Sequence, residues 1–342
     1  MEPEATACVA GLLSPNSQLV LAGDAKQLGP IIHHGHAKTF GLATSYLERL
    51  MQRAVYARGE RGYDGRVLTK LVRNYRSHER LLQLPNELFY DNELVACADP
   101  ILRRCCLQWE GLLPACLGKE PLLFHGIEGR DEREGTSPSW FNSDEAIQVL
   151  RYVESLLRMR GSGLQQEDIG VITPYNKQMQ KIAKLLKGQD LGGVKVGSTE
   201  LFQGQERRVI LISTVRSSGD FIGFDAKHNL GFLDNPKRFN VAVTRACSLM
   251  IIVGNPAVLA PDRHWGRLLR LSIELGAYTG VPPPPEGEGP GGGERADAGA
   301  DGDELLHDRL DEILEEDVEE ALVEESQRLQ QEGAEMPTWG QS

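Results

Sequence analysis

Four short runs set arginine, glutamine and glutamate beside glycine at the ends of apolar stretches, a combination suited to gripping phosphate. Gln203-Gly204-Gln205-Glu206 precedes Val209-Ile210-Leu211-Ile212, and Arg238-Phe239-Asn240-Val241-Ala242-Val243-Thr244-Arg245-Ala246 precedes Leu249-Met250-Ile251-Ile252-Val253-Gly254. Gly23-Asp24-Ala25-Lys26-Gln27-Leu28-Gly29-Pro30 follows Gln18–Ala22, and Asn74-Tyr75-Arg76-Ser77-His78 completes the set. Arg245 offers a rigid fork of donors matched to phosphate oxygens; its bland reading is a surface arginine in an ion pair. Arg238, seven residues earlier on the same expected helix, either supports that site or pairs with Asp234. Gln27 carries an amide that both donates and accepts, so it can report a phosphate or a water. Asp24 suits fixing its own turn, and Gly204 permits close backbone approach to a ligand. Tyr75 is either a flat ring for a base to stack on or a core tyrosine. Thr173, Tyr175, Ser198 and Thr199 fall at expected strand ends. Their hydroxyls and ring suit phosphate, 2′-hydroxyl and base contacts, with a core or turn role as the rival.

The elements that must hold these groups alternate. Strands are expected at Gln18–Ala22, Arg66–Leu71, Leu122–His125, Ile169–Thr173, Val194–Ser198, Arg208–Thr214 and Ser248–Gly254. Helices are expected at Ser45–Arg53, Glu79–Phe89, Ser143–Arg158, Lys177–Lys187 and Pro236–Ala246. Alternation of this kind predicts an α/β fold: a parallel sheet with crossover helices on both faces. The ligand is expected beyond the carboxyl ends of the strands. Residues 1–65 hold too little for a complete α/β domain, 66–280 hold one, and 281–342 read as a Pro/Gly linker with an acidic helical or disordered tail. Within the tail, Asp303–Gln331 has apolar residues at helical spacing and otherwise acidic faces.

The net charge of −12 divides unevenly. Residues 281–342 carry 19 acids and 3 bases, a balance of −16, whereas the remaining 280 residues carry 30 acids and 34 bases, or +4. The body is mildly basic, so electrostatics do not oppose a nucleic-acid partner. No apolar run approaches the roughly 20 residues that span a bilayer, and the first residues lack the pattern of a signal peptide. The six cysteines make no C-x-x-C pair and lie near no zinc-spaced histidine, so reduced, unligated thiols and no metal site are expected.

With Thr173-Pro174-Tyr175, the four runs resemble motifs III to VI of superfamily 1 RNA helicases of the nonsense-mediated-decay type. Cys97-Ala98-Asp99-Pro100, Phe124-His125-Gly126, Asp131-Glu132-Arg133-Glu134-Gly135, Ser139-Trp140-Phe141-Asn142 and Ala277-Tyr278-Thr279-Gly280 resemble the Armitage-type branch. The resemblance covers about residues 1–280. It implies one complete RecA-like domain at 66–280 and the C-terminal remnant of another at 1–65. It casts Arg245 as an arginine finger, Arg76 as a second γ-phosphate ligand, Gln27 as the γ-phosphate sensor and Glu206 as a ribose acceptor, with Tyr75, Gly204 and Arg238 around the nucleotide.

The implied activity is ATP-dependent 5′-to-3′ movement on single-stranded RNA, in silencing, mRNA decay and restraint of retroelements. Argonaute complexes and decay factors are the implied partners, a monomer the implied state, and the cytoplasm, P-bodies and other RNA granules, with the nucleus as a further place, the implied locations. The chain has no G-x-x-x-x-G-K-[ST] loop and no Asp-Glu pair after a strand for magnesium. The expectation is therefore a chain beginning after both Walker elements and inactive alone, with the Mg²⁺ ligands in the missing part. A DNA helicase of the same superfamily and a non-catalytic RNA- or protein-binding scaffold are the competing readings.

Overall fold

The computed structural model describes residues 10–11, 13–30, 32, 35–59, 62–133, 139–218, 232–233 and 235–284. The expected tail helix at Asp303–Gln331, Asp234, and most of the 281–342 segment lie outside them. Six strands form one sheet: β3 (Leu122–Gly126), β6 (Ile169–Ile172), β7 (Lys195–Gly197), β8 (Arg207–Ser213), β9 (Ala246–Gly254) and β10 (Tyr278–Gly280). Every pairing in the order β10-β3-β9-β8-β6-β7 is parallel. All nine residues of β9 are buried, whichever way they point, so both faces of the central strand are covered. This is the RecA-like α/β arrangement. Two small pairs lie apart from it: β1 (Arg73–Asn74) with β2 (Val95–Ala96), parallel, and β4 (Glu132–Arg133) with β5 (Trp140–Phe141), antiparallel.

The helices, in chain order, are α1 (Gly35–Thr39), α2 (Tyr46–Met51), α3 (Glu79–Phe89), α4 (Pro100–Arg103), α5 (Ser143–Leu157), α6 (Asn176–Lys187), α7 (Pro236–Val243), α8 (Pro256–Leu259) and α9 (Arg263–Glu274). Their starts follow from local chemistry. Ser45, Asn142, Asn235 and Asp262 each accept a hydrogen bond from a backbone N–H of the first turn. The helix α9 and the strand β10, absent from the sequence expectations, close the sheet on the β3 side. Trp265 of α9 is fully buried, edge-on to Phe239 of α7 at 4.9 Å, with its indole N–H donating to the Phe232 carbonyl.

Three expectations need correction. Gln18–Ala22 is no strand: no described segment pairs with it, and Val20 is 87% exposed. Arg66–Leu71 is no strand either: Asp64 accepts from the Arg66 N–H and turns the chain at the start of the run, and none of its residues enters a strand pairing. The pairing starts only at Arg73. Finally, α7 stops at Val243, so Arg245 follows the Thr244 cap and does not share a helix face with Arg238.

Gly266 lies inside α9, where alanine would ordinarily favour the helix by up to about 1 kcal/mol. A Cβ there would collide with the Ala260 backbone carbonyl. Gly266→Ala is therefore expected to destabilise the domain by at least about 1 kcal/mol, read as a lower denaturation midpoint; a raised midpoint would contradict the packing described.

Candidate functional site

Arg245 and Glu206 immediately precede β9 and β8, and those strands are neighbours in register Arg207↔Ala246. The two residues consequently meet at the amino ends of the strands. The sequence expectation of carboxyl-end placement fails for this group because each motif comes before its strand. The Arg207 N–H donates to the Arg245 carbonyl at 3.1 Å, locking the two strand starts together. Gly204, with φ +78°, turns the chain into β8. No heavy atom lies within 4 Å of the position of a Cβ there, so glycine is required by the turn and the turn faces open space.

Arg245 is 1% exposed. Its guanidinium donates to the Val241 carbonyl (3.1 Å), the Gln205 carbonyl (3.2 Å), Gln27 Oε1 (3.3 Å) and Thr244 Oγ1 (3.0 Å). All four are neutral oxygens, which rules out the surface ion pair. Burial, then the nearby positive charge of Arg76, depress its pKa to about 10, so it stays charged at neutral pH. A buried cation held only by neutral acceptors is short of one anion.

Arg76 is positioned by an Asx turn. Asn74 Oδ1 accepts from the N–H groups of Arg76 and Ser77, both at 2.9 Å, and the His78 N–H anchors to the Cys247 carbonyl in β9. The Arg76 Nε then ion-pairs with the Glu206 carboxylate. Tyr75 next to it is 63% exposed, so it is not a core residue and its ring is accessible.

Gln27 reaches the same place from the other side of the chain. Its Nε2 donates to Asp24 Oδ2 at 3.0 Å, while Asp24 Oδ1 accepts from the Lys26 N–H at 2.8 Å, the turn-fixing role expected of it. Tyr90 donates its hydroxyl to Asp24 Oδ2 (2.7 Å), and Asn240 donates to both the Tyr90 hydroxyl (2.8 Å) and the Lys26 carbonyl (2.9 Å). Burial, reinforced by the Asp24 charge, pushes the Tyr90 pKa up to about 12, so it remains a donor. Gln203 donates to the Leu28 carbonyl, and Lys237 pairs with Glu48 at 2.7 Å. Thus Gln27, Arg76, Glu206 and Arg245 converge. Tyr90, Asn240 and Gln205 were missed because nothing in their spacing announces a contact across 40 or more residues.

Arg238 pairs with Glu200 at 2.9 Å. Burial alone would raise the Glu200 carboxyl, but the Arg238 charge and bonds from the Ser198 and Thr199 hydroxyls bring it below its ordinary value. Thr199, 1% exposed, donates to Glu200 Oε2 at 3.0 Å. Thr173 and Tyr175 follow β6. Tyr175 is 2% exposed and packs with Trp140 and Val215, which removes it as a stacking surface for a base. Thr173 is fully buried, with its hydroxyl lacking a protein partner.

At the carboxyl ends of β6 and β8 lies a second polar cluster that the spacing did not reveal. Glu145, in the first turn of α5, reads in sequence only as a residue of a capped helix start. Its Oε2 accepts from Ser213 Oγ (2.6 Å) and from the N–H of Val215 (2.9 Å), a β-branched residue held at φ 72°. Gln178 bridges Ser213 Oγ and the Asn142 carbonyl, and Asn142 donates to the Val215 carbonyl. Beyond it, buried Arg216 pairs with Asp131 and lies 4.4 Å over the Trp140 ring. Among the described residues no group of three His, Cys, Asp or Glu could hold a metal ion.

Residues 42–257 match a family described as an AAA domain. The chain is 50% identical over 293 residues to a putative helicase mov-10-B.1 of Danio rerio, covering 82% of this chain and 29% of that protein. It is 39% identical over 298 residues to the probable RNA helicase armi of Drosophila melanogaster (82% and 24%), and 33% identical over 276 residues to a regulator of nonsense transcripts 1 homolog of the same organism (78% and 21%). The chain thus spans under a third of the length of these relatives.

Burial pushes the Glu145 pKa up to about 8, against the hydrogen bonds from Ser213 and Val215, so the folded protein keeps this carboxyl protonated where the unfolded chain releases the proton. The native state then binds more protons, and the residue's contribution to stability falls as pH rises from about 4.5 to about 8, levelling off above. Glu145→Gln keeps the accepting oxygen and is expected to flatten the decline, measured by chemical denaturation across that range. A slope unchanged by the substitution would show that Glu145 is ionised in the fold.

Proposed function

We propose a function from this premise: the chain belongs to the AAA-domain family and, within it, to the superfamily 1 helicases of the nonsense-mediated-decay type, of the Mov10 kind. In the full-length protein it supplies the second motor lobe of an RNA helicase that hydrolyses ATP. The observation carrying this reading is the buried Arg245 guanidinium, bound only by neutral oxygens and joined by Gln27, Arg76 and Glu206. Glu206 and Asp24 lie near, but no anion bonds the Arg245 guanidinium itself, and a nucleoside triphosphate bound by another lobe supplies one.

The residues fit that group. Arg245 and Arg76 hold terminal phosphate oxygens, and Gln27 exchanges its bond to Arg245 for one to phosphate or water. Glu206, released from Arg76, accepts from ribose, and the exposed Tyr75 ring takes the base. Gly204 keeps the backbone low at the same mouth, and Arg238, held by Glu200, secures the start of α7. ATP supplies a phosphoryl group whose transfer develops charge, and a guanidinium aimed at that charge accelerates it.

Movement on single-stranded RNA in the 5′-to-3′ sense, with work in silencing, decay and retroelement restraint beside Argonaute and decay factors in cytoplasmic granules, completes the proposal. It rests on likeness to relatives whose names include RNA helicase. At the groove, the Ser198 and Thr199 side is the edge offered to RNA. The hydroxyl of Thr199 is already engaged by Glu200, and Thr173 and Tyr175 act from beneath it.

In the full-length protein, Arg245→Ala is expected to lower ATP turnover by about three orders of magnitude with RNA affinity largely kept. Arg245→Lys, which retains charge but loses the fork, should restore little of it. Turnover within a few-fold of the parent, measured as RNA-stimulated phosphate release, would refute the assignment.

A further inference from the structure

Arg104 is followed by two adjacent thiols in the turn after α4. The Cys105 and Cys106 sulfurs stand 3.6 Å apart. Cys105 is partly exposed, whereas Cys106 is fully buried. The Arg208 guanidinium and the Ser248 hydroxyl also lie close enough to the Cys105 sulfur to favour its thiolate. Arg208 is itself fixed, donating to the Gly163 carbonyl (3.0 Å), the Ser162 carbonyl (2.8 Å) and Asp168 (3.2 Å). Cys105 is therefore a part-buried thiol at the edge of the core beside a fixed cation, and its only near sulfur neighbour among the bonds described is a shielded thiol.

We propose that Cys105 and Cys106 form a peroxide-reactive dithiol, in which Cys105 is the oxidised thiol and Cys106 resolves it. The Cys105 thiolate attacks one oxygen of a hydroperoxide. An S–O bond forms, the O–O bond breaks, and the leaving alkoxide takes a proton from water. Sulfur gives two electrons and becomes a sulfenic acid; the peroxide becomes an alcohol. Cys106 then attacks that sulfur: an S–S bond forms, the S–O bond breaks, and hydroxide departs with the Cys106 proton as water.

The bond from Cys106, followed by the influence of Arg208 and Ser248, holds the Cys105 thiol well below its ordinary value despite its burial, and the same pairing pushes Cys106 up, so Cys105 is the thiol of the pair that ionises first. Adjacent Cα atoms are about 3.8 Å apart, less than the roughly 4.4 Å at which ordinary disulfides begin. The ring is strained, and ordinary dithiols reduce it, so the site is reversible. Oxidation also deprives Arg208 of its thiolate partner, two residues from Glu206.

The test exposes this chain to tert-butyl hydroperoxide and follows each cysteine by alkylation and fragment-ion mass spectrometry. Cys105 is expected to react at least about tenfold faster than the partly exposed Cys97. The product should lack two hydrogens between residues 105 and 106 and be restored by dithiothreitol. Cys106→Ser, which removes the resolving sulfur but keeps a side-chain donor beside Cys105, should leave a sulfenic acid on Cys105 that dimedone traps, and Cys105→Ser should abolish the fast phase. A fast phase at Cys97 or Cys247 instead, or no dimedone adduct on Cys105 in the Cys106→Ser protein, overturns the proposal.

Discussion

Burying a guanidinium costs several kcal/mol unless its donors are met and its charge is balanced. In this protein four of the five N–H donors of Arg245 are met, and none of their partners carries charge. Four oxygens from α7, the Gln205 turn, Thr244 and Gln27 hold the group in place, yet none is ionised. The arrangement is stable as a socket because four bonds fix the fork, and it remains receptive to an anion because no anion bonds the guanidinium directly. The like charge of Arg76 adds to that deficit, and Glu206, already paired with Arg76, relieves it only in part.

The parallel sheet explains where this socket forms. Covered on both faces, β8 and β9 leave polar groups only at their ends. At the amino ends, the turn at Gly204 and the segment after α7 deliver Glu206 and Arg245 side by side. At the carboxyl ends, Glu145 and Asn142 hold the strained backbone of Val215, Gln178 bridges Asn142 to Ser213, and Arg216 and Asp131 adjoin. The two edges differ in kind. One has a cation with no anion bonded to it; the other is a set of bonds around a protonated carboxyl, with Glu145 Oε1 and the Thr173 hydroxyl left over.

Contacts from residues 24–29 tie the two parts of the chain across the socket. Asp24, Lys26 and Leu28 all bond to groups at least 66 residues away: the Tyr90 hydroxyl, the Asn240 amide and the Gln203 amide. The Lys26 and Leu28 bonds join backbone carbonyls to neutral amides, the Asp24 bond joins a carboxylate to a hydroxyl, and none of the three passes through the Gln27 side chain. Gln27 can therefore change partner while the loop around it stays in place. That is the physical requirement for a group that reports on phosphate.

The sequence alone determined five of the six strands of the main sheet, β10 excepted, because a strand covered on both faces must be largely apolar, and Leu122–Gly126 and Ala246–Gly254 are, with His125 and Ser248 as the polar exceptions. It also determined the capped helices: Glu79–Phe89 has the bounds that its periodicity gives, and Asn142 and Asn235 mark true starts. Arg245, Arg76, Gln27 and Glu206 were legible because their side chains have little other use beside glycine turns. It could not settle what burial decides. Tyr75 and Tyr175 are the same residue type next to similar motifs, yet one ring is open and the other sealed against Trp140. Arg238 has Glu200 as its partner, and Glu145 is neutral, only because distant strands bring those groups together and exclude water. Gln18–Ala22 has the composition of a strand, but a strand exists only where a neighbour offers its hydrogen bonds, and pairing is a property of the tertiary structure.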